Sequence, residues 1–160
     1  MLRALISPPT AFFLASDFSG DGSGLFPSRL SEPVPKKIPK VLIVDDERLI
    51  ADTLAEILNE NGFRTSVAYD CEEALDKAMA SPPDVVISDV IMPGRTGVDL
   101  GIAVRELCPT ARIILLSGQA ATATLLDSAR QYGYEFELLA KPLNPRILLE
   151  LLSPGGRGGD

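Results

Sequence analysis

The sequence predicts an α/β domain: a doubly wound, five-stranded parallel sheet with helices on both faces. Two observations carry this. Short apolar runs alternate with stretches of helical periodicity five times between about residues 40 and 152. Alternation of that kind builds parallel sheets with helical crossovers. In addition, four of the runs end directly in a polar or charged residue. Strand ends of that sort gather at the carboxyl edge of an open sheet, where ligands bind.

The elements follow in order. Val41-Leu42-Ile43-Val44 is a continuous apolar run, which suits a strand buried on both faces. Over residues 47–61, Leu49, Ile50, Leu54, Ile57 and Leu58 keep helical spacing, and Gly62 supplies a C-terminal cap. Arg64–Ala68 is the second strand. Asp70 caps a helix reaching Ala80, with Glu73 placed for a capping box, and Pro82-Pro83 ends it. Val85-Val86-Ile87 is the third strand and runs into Ser88-Asp89. A loop over residues 90–96 leads to a helix over 98–107. Ile113-Ile114-Leu115-Leu116 is the fourth strand, residues 120–132 the fourth helix, 136–139 the fifth strand and 146–152 a short fifth helix.

Either side of this domain, which spans 40–152, the texture changes. Residues 1–39 hold Pro8, Pro9, Pro27, Pro33, Pro35, Pro39 and a Gly/Ser stretch, and predict a flexible extension. Residues 153–160 predict a disordered, Gly-rich tail, so the chain reads as a stand-alone domain with no output module. No apolar run reaches the roughly 18 residues of a membrane span. Pro8 and Pro9 break the only leader-like stretch, and the predicted location is cytoplasmic.

Charge and composition narrow the chemistry. The formal net charge is −7, with residues 1–40 at +2 and the remainder at −9. An acidic body argues against direct nucleic-acid binding and suits a divalent cation. The chain has no histidine. That excludes histidine-based triads, His-ligated zinc and a phosphohistidine of its own. Cys71 and Cys108 have no metal-like spacing and read as free thiols.

The polar strand ends supply the candidate site. The first strand ends in Asp45-Asp46, the third in Asp89, the fourth in Ser117 and the fifth in Lys141-Pro142. Three carboxylates on one edge repel one another. A hard, oxygen-liganded cation such as Mg²⁺ relieves that conflict. With Lys141 as a point charge and Ser117 as a hydroxyl donor, the parts of an aspartyl-phosphate site are present. Each piece alone has an ordinary structural reading. Their joint occurrence, in order and each at its own strand end, decides otherwise.

In these residues the chain resembles the receiver domains of bacterial two-component response regulators. The matching stretches are Val41 to Glu47, Asp89-Val90-Ile91-Met92-Pro93-Gly94 with Gly97, Ser117-Gly118 and Lys141-Pro142. The resemblance implies a flavodoxin-like strand order, 2-1-3-4-5. It implies Asp89 as phosphoacceptor, and Mg²⁺ held by Asp46 and Asp89, by Asp45 through water and by the Ile91 backbone carbonyl. Ser117 would be the switch hydroxyl and Lys141 the phosphate-sensing lysine, with a cis bond before Pro142. A sensor histidine kinase or histidine phosphotransfer protein would be the donor, and a downstream protein effector the target.

Some positions depart from that pattern. Leu138 stands three residues before Lys141, where the family carries an aromatic ring. Tyr134 and Phe136 lie nearby, and their ordinary reading is packing. Arg95 and Thr96 replace a Met-Asp pair. Ile91 and Gln119 occupy places where the family tunes dephosphorylation, and Gln119 could orient a water. A phosphorylation-independent interaction module is the alternative reading. A haloacid-dehalogenase-type phosphatase is a third, disfavoured because Asp45 and Asp46 are adjacent and Arg48 follows.

Overall fold

The structure is a computed structural model and describes residues 37–118 and 122–154. The elements are β1 (Lys40–Val44), α1 (Arg48–Glu60), β2 (Arg64–Ala68), α2 (Cys71–Ala80), β3 (Val85–Asp89), α3 (Gly97–Leu107), β4 (Arg112–Ser117), α4 (Thr122–Gln131), β5 (Glu137–Ala140) and α5 (Pro145–Leu152). The five strands form one sheet in the order β2-β1-β3-β4-β5, and every pairing is parallel. The order reverses between β1 and β3. Val44 pairs with Ser88 there, so the residues that follow, Asp45 and Asp89, meet at the switch point.

Two apolar layers hold the sheet between helices. Leu42, Val44, Val86, Ile113 and Leu115 face Ala74, Ala78, Leu100, Val104 and Leu126 of α2, α3 and α4. Val41, Ile43, Ile87, Ile114 and Leu116 face Ala51, Leu54, Leu58, Leu148 and Leu152 of α1 and α5. Because the central strands are buried on both faces, they read as unbroken apolar runs and not as alternation.

The turns use the residues expected of them. The Phe63 amide donates to Leu58 O and the Gly62 amide to Asn59 O. Gly62 has φ +86°, which closes α1 with a left-handed residue at little steric cost. At α2, the Asp70 side chain accepts from the Glu73 amide at 2.8 Å. The reciprocal bond differs from expectation: Glu73 Oε2 accepts from the amide of Tyr69, one residue before the cap. A capping box with both bonds is found instead at α3, between Thr96 and Asp99. Asp70→Ala is expected to cost about 1 kcal/mol, the usual value of such a cap, read by urea denaturation. An unchanged midpoint would show that Glu73 alone holds this helix start.

Boundaries shift slightly from the sequence expectation. β5 runs one residue later, its register set by Ile114 opposite Glu137 and by a two-pronged ion pair from Arg112 to Glu137 at 2.7 and 2.9 Å. Contacts also begin before residue 40, since Lys37 Nζ lies 2.6 Å from Asp84 and Pro39 O accepts from the Arg64 amide. At the other end, the Ser153 amide and hydroxyl both bond to Leu149 O, so Ser153 caps α5. The predicted extension, apart from residues 37–39, lies outside the described residues, as do Gln119 and residues 155–160.

Candidate functional site

The site is assembled by three strand ends and one loop. β1 delivers Asp45 and Asp46, β3 delivers Asp89, β4 delivers Ser117, and the turn after β5 delivers Lys141. Carboxylate oxygens of Asp45, Asp46 and Asp89 lie within 4.8 Å of one another. Asp46 is exposed, whereas Asp45 is 1% and Asp89 9% exposed. The buried pair has a fixed set of partners. Asp45 Oδ1 accepts from the Glu47 amide at 2.9 Å, and Asp89 Oδ1 accepts from the Ile91 amide at 3.3 Å. Lys141 Nζ reaches both, at 2.9 Å from Asp89 Oδ2 and 3.4 Å from Asp45 Oδ2.

Electrostatics follow from this crowding. Burial pushes the Asp45 carboxyl above its ordinary range, and the Asp89 charge adds to that. The Glu47 amide and Lys141 oppose it without cancelling it. Burial alone would lower the Lys141 ammonium, but the hydrogen bond it donates to Asp89 and the charges of both carboxylates outweigh it and hold Lys141 above its usual value. One ammonium facing three carboxylates leaves an excess of negative charge. Hard oxygen donors with that excess fit a divalent cation of the Mg²⁺ type.

The backbone around Asp89 is close-packed. Ser88 Oγ donates to Asp89 O at 2.9 Å, the Val90 amide donates to Leu116 O, and the Gly97 amide donates to Val90 O at 2.8 Å. A side chain at Gly97 would begin 2.0 Å from Asp89 O. The Lys141–Pro142 bond is cis, and the Lys141 amide donates to Ser117 O. Ser117 Oγ donates to Thr122 Oγ1 at 2.6 Å. All five residues expected at the strand ends therefore stand at one edge of the sheet.

Comparison with known proteins decides the family. The family model described as response regulator receiver domain matches residues 41–153. The chain belongs to the response regulator receiver domain family. The receiver domain is 37% identical over 113 residues to the transcriptional regulatory protein CpxR of Escherichia coli K12, covering 69% of this chain and 46% of that protein. The chain spans under half the length of the curated relatives it matches first. Among solved structures, it matches the chemotaxis protein CheY4 of Vibrio cholerae with a TM-score of 0.63 and 33% identity, over 72% of this chain and 97% of that one. A response regulator of Burkholderia pseudomallei, solved with a phosphorylated aspartic acid, a calcium ion and citrate, matches with a TM-score of 0.63 and 30% identity over 74% of this chain and 68% of that one.

The departures from the family pattern take concrete form. Leu138 is 47% exposed and lines a cleft between β5 and α4. Phe136 packs its ring edge 3.0 Å from where a side chain at Gly101 would start, and stacks with Tyr134 at 6.4 Å. Both aromatics thus pack against α3 and the core, as their ordinary reading expects. Sequence reasoning missed Thr122. A threonine at a helix start reads as a possible cap, and nothing in its neighbours points back to Ser117.

No helix among the described residues is long and apolar enough to cross a membrane. Cys71 and Cys108 are free and buried.

Proposed function

We propose that the receiver domain is a phosphorylation switch in a two-component phosphorelay, with Asp89 as its phosphoacceptor. The observation that carries this is the placement of Asp89: buried at the end of β3, 2.9 Å from Lys141, with two further carboxylates inside metal-ligand distance. An Asp89 carboxylate oxygen would attack the phosphorus of an incoming donor. A new O–P bond forms, and the bond from phosphorus to the donor's nitrogen or oxygen breaks with its electron pair on the leaving group. These 160 residues hold no histidine, so the phosphohistidine would be supplied from outside them, by a sensor histidine kinase or a histidine phosphotransfer protein. The solved relative with a phosphorylated aspartic acid supports the same chemistry here.

The remaining residues have assigned parts. Asp46 and Asp89 would hold Mg²⁺ directly, Asp45 through water, and the Ile91 carbonyl would complete the protein ligands. Bound there, the cation neutralises charge on the phosphoryl group and orients it. Lys141, poised between two carboxylates, would pair with a phosphoryl oxygen and release Asp45 and Asp89 from their present contact. Ser117 would donate its hydroxyl to another. Occupancy would bias a two-state equilibrium read by a protein effector on the face of α4, β5 and α5. The acidic body disfavours direct contact with nucleic acid. Free buried thiols suit a reducing compartment, and the cytoplasm is the proposed location.

Slow hydrolysis of the phosphoryl bond would reset the switch, without the turnover of an ordinary enzyme. A second reading, an interaction module independent of phosphate, draws on Leu138 alone. One experiment separates them: intact mass after incubation with a small acyl-phosphate donor, with and without Mg²⁺, on the wild type and Asp89→Asn. One added phosphoryl group, dependent on Mg²⁺ and lost in the variant, is the expected outcome. An adduct of equal size on Asp89→Asn would remove Asp89 from its role. A wild type that takes no phosphoryl group and binds no Mg²⁺ would favour the phosphate-independent module.

A further inference from the structure

We propose that Thr122 is a positioning residue for Ser117, holding its hydroxyl in a latch that phosphorylation of Asp89 must open. The proposal rests on the phosphoacceptor reading above. Ser117 ends β4, one residue beyond the Leu116–Asp89 pair, so its side chain belongs to the phosphoryl site by position. Its Oγ nevertheless donates to Thr122 Oγ1 at 2.6 Å, across to the first residue of α4. A hydroxyl carries one hydrogen. While that hydrogen is held by Thr122, it cannot be donated to a phosphoryl oxygen on Asp89.

Thr122 is well placed to make this choice costly. It is 2% exposed, so water offers little replacement, and Ser117 is the hydrogen-bond partner of its hydroxyl among the described residues. When Ser117 turns toward phosphate, Thr122 Oγ1 loses its donor in a nearly dry setting. A buried oxygen without a donor is expensive, so the start of α4 has to rearrange. Space for that exists. A cleft of about 320 Å³ lies between α4 and β5, lined by Ser117, Thr122, Leu126 and Leu138. No ring fills it, because position 138 is leucine. The hydroxyl pair, and not a swinging aromatic, thereby links the phosphoryl site to α4.

The latch opposes the phosphorylated state, which fixes the sign of the test. Fluoroberyllate, with Mg²⁺, serves as the phosphoryl mimic, and its affinity for the full chain is read by calorimetry. Thr122→Val keeps the shape and removes the acceptor. Losing a hydrogen bond of ordinary net strength corresponds to an affinity about three- to tenfold tighter. Thr122→Ser should restore the wild-type value. In a Ser117→Ala background, Thr122→Val should change nothing, which a merely structural role for Thr122 would not produce. If the valine variant fails to fold, Thr122→Cys, similar in size and a weaker acceptor, gives the same comparison. Unchanged or weaker affinity, or an equal change without Ser117, overturns the latch. A wild type that binds no better than Asp89→Asn overturns the phosphoacceptor reading, and the latch with it.

Discussion

Gly97→Ala is expected to destabilise the receiver domain by about 3 kcal/mol, at the upper end of what one added methyl costs in a packed interior. A Cβ built at Gly97 sits 2.0 Å from the carbonyl oxygen of Asp89, 2.9 Å from its carbonyl carbon and 3.0 Å from Ser88 Oγ. The first two are backbone atoms of a central strand, which cannot step aside as a side chain does. The same residue starts α3, and its amide is tied to Val90 O at 2.8 Å. Relief must therefore come by moving α3 or Asp89 itself. Either route disturbs the carboxylate that sits beside Asp45, Asp46 and Lys141. Urea denaturation should show the lost stability, and acyl-phosphate uptake by the protein that remains folded should fall as well. Gly101→Ala is the control. Its Cβ would meet the Phe136 ring at 3.0 Å, the movable end of a half-buried side chain, so a cost of about 1 kcal/mol is expected. Equal stability of Gly97→Ala and the wild type would show that the approach to Asp89 is not as tight as the structure has it.

The contrast between these glycines shows what the sequence makes legible. The sheet was readable because β1, β3 and β4 are buried on both faces, and such strands can only be short and continuously apolar. The site was readable because its residues sit directly after those runs, so that finding the strands finds Asp45, Asp89 and Ser117. Three features were out of reach. Glu73 and Asp99 both stand three residues after a capping residue, yet only Asp99 bonds back to its cap, because Tyr69 captures Glu73. The start of β5 was misplaced by one residue, because its register follows from Ile114 opposite Glu137 and from Arg112, which lie on another strand. The Ser117–Thr122 bond crosses between a strand end and a helix start. Local pattern sees propensity and burial, whereas these three depend on where a second segment arrives.

Lys141→Met should remove about 2–3 kcal/mol at neutral pH, somewhat below the 3–5 kcal/mol lost when a fully buried ion pair loses one partner. The discount reflects the lysine side chain, which is 24% exposed, while those of Asp45 and Asp89 are 2% and 12% exposed. Methionine keeps much of the volume, so the effect is electrostatic: two buried carboxylates lose the ammonium that touches both. The pH dependence has a definite sign. Asp45 already lies above its ordinary value of 3.8 because of burial, and loss of Lys141 pushes it further up. A carboxyl raised by folding costs stability when ionised. That cost is full above the folded pKa and disappears as the pH falls toward 3.8. Lys141 is also raised, from 10.5, so its contribution in the wild type is full below that value and fades as the pH climbs through the folded one. The stability gap between wild type and Lys141→Met should therefore be widest near neutrality, narrow as the pH falls toward 3.8, and narrow again as the pH climbs past 10.5 through the raised value of Lys141. Denaturation midpoints across that range measure it. Adding Asp45→Asn to Lys141→Met should recover part of the loss at pH 7 by removing one uncompensated charge, and Mg²⁺ should recover part of it in the single variant by replacing the missing cation. A gap that stays constant with pH would mean that packing, and not charge, is what Lys141 supplies. The lysine would then have to be regarded as a spacer between β5 and α5 and not as the cation that holds the carboxylate cluster together.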